Sequence, residues 1–164
     1  MRSTFDMIRV QEDAFDVGAE LAALSAGRTD IGAVASFTGL VRDFVGQEGG
    51  DDSKIAALTL EHYPGMTEKK LAEIEAEANR RWPLQASLII HRYGRMLPGE
   101  PIVLVATASP HRAAALDSCA FLIDWLKTKA PFWKLEEGDG EASWVDARDS
   151  DDQAAARWRL PDES

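Results

Sequence analysis

Apolar positions along the chain switch between a two-residue and a three-to-four-residue period, and each switch predicts an element. Residues 7–12 (MIRVQE) alternate as a short strand, after which Asp13 or Asp16 can cap a helix that turns Phe15, Leu21 and Leu24 inward. Residues 31–39 (IGAVASFTG) are small, β-branched and aromatic, which predicts a buried strand delivering Leu40, Val41 and Arg42 to its end. Residues 55–63 (IAALTLEHY) alternate again. Pro64-Gly65 then turns the chain into a helix for which Thr67 is the expected cap, with Leu71, Ile74, Ala78 and Trp82 facing inward and Pro83 as its stop. Residues 87–93 and 102–107 predict a hairpin joined through Leu97-Pro98-Gly99-Glu100, where Pro before Gly fits a type II turn. Its second strand contains VLVAT, apolar almost throughout, and belongs at the centre of a sheet.

The longest patterned stretch follows, residues 109–134, reading SPHRAAALDSCAFLIDWLKTKAPFWK. Ser109 is expected as N-cap and Pro110 as the first helical residue, with Leu116, Ala120 and Ile123 forming the buried stripe. Pro131 disfavours helical geometry in the residue before it, so the helix should end at residues 128–130. Its first turn carries His111 and Arg112, where the dipole and unpaired amides already favour an anion. Near its end, Lys127 falls in phase with Ala120 and Ile123, on the expected apolar stripe, whereas Lys129 points away. The extended Pro131-Phe132-Trp133 can bring Lys134 back toward the helix end. Lysines at a helix C-terminus also serve simply to complement the dipole, and spacing alone does not separate that reading from a catalytic one. Beyond Lys134, Gly138-Asp139-Gly140 can turn a second hairpin with Trp144-Val145 on its return strand, and Arg148 follows. Asp149 or Ser150 should cap a last helix over residues 154–158, and the final PDES should fray. Together these elements predict an α+β fold, a mostly antiparallel sheet with packed helices.

Length and charge narrow the function. A chain of 164 residues is expected to form one domain spanning 1–164. With 18 basic against 28 acidic residues, a formal charge of -10 argues against a nucleic-acid binder and an anionic membrane surface. The N-terminus lacks the apolar run of a signal peptide and no stretch could span a bilayer, so a cytoplasmic location is expected. The single cysteine, Cys119, excludes an internal disulfide and reads as a small buried thiol; one Cys with three dispersed His has no metal-ligand spacing. His62 and His91 lie within strand patterns and read as structural. Basic groups that cluster against this background remain: Arg42, His111-Arg112, Lys127 with Lys134, and Arg148, each at the end of an element. They suit an anionic substrate held by Arg and His while a partly desolvated lysine serves as nucleophile or proton carrier. The acidic segment 44–53 between two strands is either a lid or a tolerant insertion.

Several motifs in order, LTLEHYPGMTEKKLAEI, IIHRYGRMLPGE, SPHRAAAL and LKTKAPFWK followed by WVDARDSD, resemble the large, catalytic subunit of molybdopterin synthase, the MoaE family, over residues 8–158. The resemblance implies an α/β hammerhead fold and transfer of two sulfurs to cyclic pyranopterin monophosphate (precursor Z), building the molybdopterin dithiolene. The implied sulfur donor is the C-terminal Gly-Gly thiocarboxylate of a small ubiquitin-like subunit, within a heterotetramer around a homodimer of large subunits. Carried over by position, the likeness implies Lys127 and Lys134 as catalytic lysines and Arg42, His111, Arg112 and Arg148 as contacts to the pterin and its phosphate. It implies no metal and no cofactor in this chain, and the acidic segment 44–53 departs from a substrate-gripping pattern. A non-catalytic module that binds a phosphorylated small molecule or a ubiquitin-like tail is the alternative, and would have no need of Lys127. On one continuous helix His111 and Lys127 stand 16 residues apart, roughly 24 Å at 1.5 Å per residue, too far for one small substrate. The site is therefore expected to be shared between two copies of the chain.

Overall fold

The computed structural model describes residues 8–45, 53–54, 56–138, 141–145 and 149–160. In chain order the elements are β1 (Ile8–Gln11), α1 (Val17–Ser25), β2 (Ala33–Leu40), β3 (Phe44–Val45), β4 (Ser53–Lys54), β5 (Ala57–His62) and α2 (Met66–Arg81). They continue as β6 (Ala86–Arg92), β7 (Gly94–Met96), β8 (Pro101–Ser109), α3 (Arg112–Lys129), β9 (Phe132–Gly138), β10 (Glu141–Val145) and α4 (Asp149–Ala156). The fold is α+β, with helices packed on mostly antiparallel sheet. One sheet has the order β1-β6-β8-β2, in which only β1 and β6 run parallel; the other, β10-β9-β5-β7, is antiparallel throughout. β3 and β4 pair with each other, so the acidic segment begins and ends in a short ladder; residues 46–52 between them lie outside the described residues, as do 1–7 and the PDES tail.

The first sheet is covered on both faces, which explains why β6 and β8 read as nearly continuous apolar runs. Ile89, Val103 and Val105 point to the side of α2 and α3, where Leu71, Ile74, Leu122 and Leu126 meet them. Their neighbours Leu88, Ile90, Leu104 and Ala106 point to the other side, against Leu24, Phe15 and Leu21. Asp16 caps α1 by accepting from the Ala19 amide at 2.8 Å.

β6 and β8 pair as expected, but their connection is not a simple hairpin. After Arg92 the chain leaves the first sheet, contributes β7 to the second against β5, and returns through the Leu97–Glu100 turn. That turn has the expected form: the Glu100 amide donates to the Leu97 carbonyl at 3.1 Å and Gly99 sits at φ 91°, a value that a side chain would strain. Met96, fully buried, packs with Val41, Leu58 and Leu60 between the sheets.

Two expected caps move. α2 is capped at Gly65, whose amide donates to Glu68 Oε2 at 2.6 Å; Thr67 lies one position inside the helix, fully buried. Its hydroxyl accepts from the Tyr63 amide, four residues back, at 3.1 Å and donates to the distant Pro131 carbonyl at 3.1 Å. α4 already includes Asp149 and stops at Ala156, so Trp158 lies beyond it, its indole N–H donating to Asp124 at 2.7 Å. Trp158, Trp82 and Trp125 surround the fully buried Phe121 at ring distances of 5.8, 5.3 and 4.5 Å.

One buried acid makes stability depend on pH. Glu75 of α2 is 2 % exposed, and its Oε2 has no hydrogen-bond partner among the described residues. Burial pushes its carboxyl from 4.5 up to about 7, against the opposing pull of a hydrogen bond with Ser87. The folded state thus holds a proton that the unfolded chain releases first, so stability falls between pH 4.5 and about 7 and is flat above. Glu75→Gln should therefore stabilise the protein by about 2–3 kcal/mol at pH 8 and by almost nothing at pH 4, read from denaturant melts at both pH values. Among the described residues no helix is long and apolar enough to cross a membrane.

Candidate active site

α3 starts two residues later than its sequence suggests. Ser109 is the last residue of β8, and its hydroxyl donates to the Pro83 carbonyl at 3.0 Å while the His111 amide approaches it at 3.4 Å. With that hydroxyl engaged across the sheet, His111 becomes the N-cap, in extended geometry and without a side-chain cap bond, and Pro110 precedes the helix. The main chain here is also held close to β2: a Cβ on Gly32 would fall 2.1 Å from the Pro110 carbonyl oxygen, so only glycine fits. His111 and Arg112 are exposed at this end, beside the first amides of the helix.

The buried face of α3 is not the expected one either. Ala115, Ser118, Cys119, Leu122 and Leu126 face the sheet, flanked by Ala114 and Phe121, whereas Leu116 is 60 % exposed. Small residues let the helix approach β8 closely enough for Thr107 to donate to the Ala115 carbonyl at 2.7 Å and the Cys119 thiol to the Val105 carbonyl at 3.8 Å. Burial raises that thiol to about 11, in keeping with an inert cysteine. The row Leu116, Ala120, Ile123, Lys127 lies on the flank, and Lys127 is exposed rather than buried. The expected divergence of the two lysines holds all the same: Lys129 packs over the Trp125 ring at 4.4 Å, while Lys127 acts on His91.

His91 lies within electrostatic reach of both lysines. It shares the face of Ile89 on β6 and is 6 % exposed, with its ring stacked on Phe132 at 3.7 Å and 17°. Phe132 and Lys134 alternate on one face of β9, directly opposite His62 and Leu60 of β5. His62 stands 4.4 Å from the Tyr93 ring and 6.4 Å from Phe132. His91 Nδ1 lies 2.9 Å from the Arg92 carbonyl, which can only accept, so the ring carries its proton there. Burial lowers its pKa to about 3 against the pull of that carbonyl, and the charges of Lys127, Lys134 and His62 lower it further. A neutral imidazole thus lies within electrostatic reach of two lysines, one from the last turn of α3 and one from β9. The sequence offered the return of Lys134 toward the end of α3, but no sign that His91 of β6 lies near both lysines.

The remaining basic residues divide by sheet geometry. Along β2, Ala33 pairs with Ser109 and Leu40 with Pro101, so Arg42 lies at the end where β8 begins and His111 where it finishes. α3 runs back from that finish, and its last turn returns to the start of β8, where His91 pairs with Val103. Arg42, Lys127 and Lys134 therefore share one end of the molecule, and His111 and Arg112 occupy the other. Arg148 lies outside the described residues. Among those described, no three His, Cys, Asp or Glu side chains group as a metal site.

Residues 10–129 match the family model described as MoaE protein. The chain belongs to the MoaE family. Similar members include a molybdopterin synthase catalytic subunit of Mesorhizobium japonicum, 52% identical, with 95% of each chain covered. Among solved structures, the molybdopterin biosynthesis MoaE protein of Burkholderia ambifaria is 53% identical with a TM-score of 0.77, covering 93% of this chain and 97% of that one. A molybdopterin synthase from Staphylococcus aureus is more distant, at 31% identity and a TM-score of 0.75, over 84% of this chain and 96% of that one. The MoaE likeness thus extends beyond α3 to the strand that carries Lys134.

Proposed function

We propose that this chain is the catalytic subunit of a cytoplasmic molybdopterin synthase, a single domain that moves sulfur from the C-terminal thiocarboxylate of a small ubiquitin-like subunit to precursor Z. The observation that carries the reading is that Lys127 of α3 and Lys134 of β9 both bear on the neutral His91, whose ring stacks on Phe132 two residues before Lys134. Two ammonium groups near one another attract a thiocarboxylate and a phosphorylated pterin, and once sulfur has bonded to the pterin they stabilise the oxyanion formed as water adds to the acyl carbon, before the C–S bond breaks and leaves a carboxylate on the tail and sulfur on the pterin. A binding module without turnover would not need both. Arg42 at the same end supplies a third cation, and Arg148 is assigned with it to the substrate.

The His111-Arg112 pair comes from a second copy. β2 is an edge strand and exposes Val34, Phe37 and Leu40, with Leu116 of α3 exposed as well. Unpaired edges carrying apolar side chains favour strand-to-strand association. A two-fold contact between antiparallel β2 strands would set the Ala33 end of one copy beside the Leu40 end of the other, bringing His111 and Arg112 toward the partner's lysines. The test mixes inactive His111→Ala and Lys127→Ala chains with thiocarboxylated small subunit and precursor Z. Partial recovery of molybdopterin formation is expected after subunit exchange has been confirmed, and a mixture that stays inactive would reject the shared site.

A further inference from the structure

Between the two lysines runs a short connection, Ala130-Pro131, that leaves α3 and enters β9, and two buried side chains hold it. On one side Thr67 donates to the Pro131 carbonyl at 3.1 Å while accepting from the Tyr63 amide at 3.1 Å, so one hydroxyl ties the exit of β5, the first turn of α2 and the lysine connection together. On the other side the His91 ring lies flat on Phe132 at 3.7 Å, two residues before Lys134 and on the same face of the strand. The connection is short and the Ala130 amide still donates to Leu126 at 3.3 Å, so the end of the helix has little freedom of its own. A shift of the Pro131 carbonyl or of the Phe132 ring would therefore move Lys134 relative to Lys127.

We propose that Thr67 and His91 are positioning residues for the lysine pair, Thr67 through the Pro131 carbonyl and His91 through the Phe132 ring. This rests on the catalytic reading of Lys127 and Lys134. Thr67 has no other use for its hydroxyl, since the cap of α2 is supplied by Glu68 on Gly65. A displacement of about 1 Å at a reacting group can lower a rate by about a hundredfold without weakening ground-state binding.

The experiment measures sulfur transfer to precursor Z with the thiocarboxylated small subunit bound, separating kcat from KM. Thr67→Val keeps the shape and removes both hydrogen bonds, and should lower kcat by about tenfold or more with KM within about twofold, whereas Thr67→Ser should retain most of the rate. His91→Ala should lower kcat to a similar degree, and His91→Phe, which keeps a flat ring against Phe132, should restore most of it. Thr67→Ala replaces the valine variant should that one not fold. Lys134→Ala runs alongside as the reference. If it is inactive while Thr67→Val and His91→Ala both turn over at nearly the parent rate, the inference falls alone; an active Lys134→Ala removes the catalytic reading and the inference with it. Loss shared equally by Thr67→Ser, or loss confined to KM, would also overturn it.

Discussion

Lys127→Ala and Lys134→Ala are each expected to lower sulfur transfer by about 10²–10⁴-fold, while Lys129→Ala keeps it within a few-fold of the parent. The three lysines lie within eight positions of one another, yet their surroundings differ in kind. Lys127 and Lys134 both act on the buried His91 ring, from a helix end and from a strand. Lys129 spreads over Trp125 at 4.4 Å, an exposed contact of a type worth roughly 0.5–1 kcal/mol, and removing it touches packing rather than the surroundings of His91. Single-turnover assays on the complex read the difference directly. A loss at Lys129 equal to that at Lys127 would mean that general charge at the end of α3, rather than the placement of each lysine, matters. Small-subunit binding measured on the same variants shows whether the lost rate is chemistry or assembly.

The second large effect is on stability. Phe121→Ala should cost about 3–5 kcal/mol, because the ring is fully buried and its neighbours cannot collapse into the gap. Three tryptophans and Arg81 enclose it, the guanidinium 4.8 Å from its centroid, and they come from α2's C-terminal end, α3 itself and the segment after α4. Rigid rings from separate elements leave a cavity rather than repack. For a chain of this size the loss corresponds to roughly 10 °C in melting temperature, measurable by calorimetry. A drop of only a degree or two would indicate that the cluster is looser than its ring spacings suggest.

The hydrophobic pattern carried the strands of the first sheet well, because helices cover that sheet on both faces and nearly continuous apolar runs follow from that. The Asp16 cap and the Pro98-Gly99 turn were legible for another reason, a local geometry that only certain residues satisfy. What failed depended on long-range partners. Leu116 looked like a core residue because spacing cannot distinguish a face of leucine and isoleucine from a face of alanine, serine and cysteine, and close packing on β8 selected the second. Ser109 and Thr67 both looked like caps, but each hydroxyl is spent on a distant carbonyl, Pro83 in one case and Pro131 in the other. Lys127 and Lys134 were marked by motif, whereas the buried histidine on which they meet was classed as structural, since nothing near it in sequence reveals which charges face it.

The three-residue β7 has a mechanical consequence. It hangs from the second sheet while both of its ends continue at once into the two central strands of the first, so neither sheet can swing away from the other without stretching short peptide links or tearing a ladder. The sheets are laced rather than hinged. A cleft closed by domain rotation is thus foreclosed to this architecture, and whatever gives way when another molecule binds must be side chains rather than one sheet turning on the other.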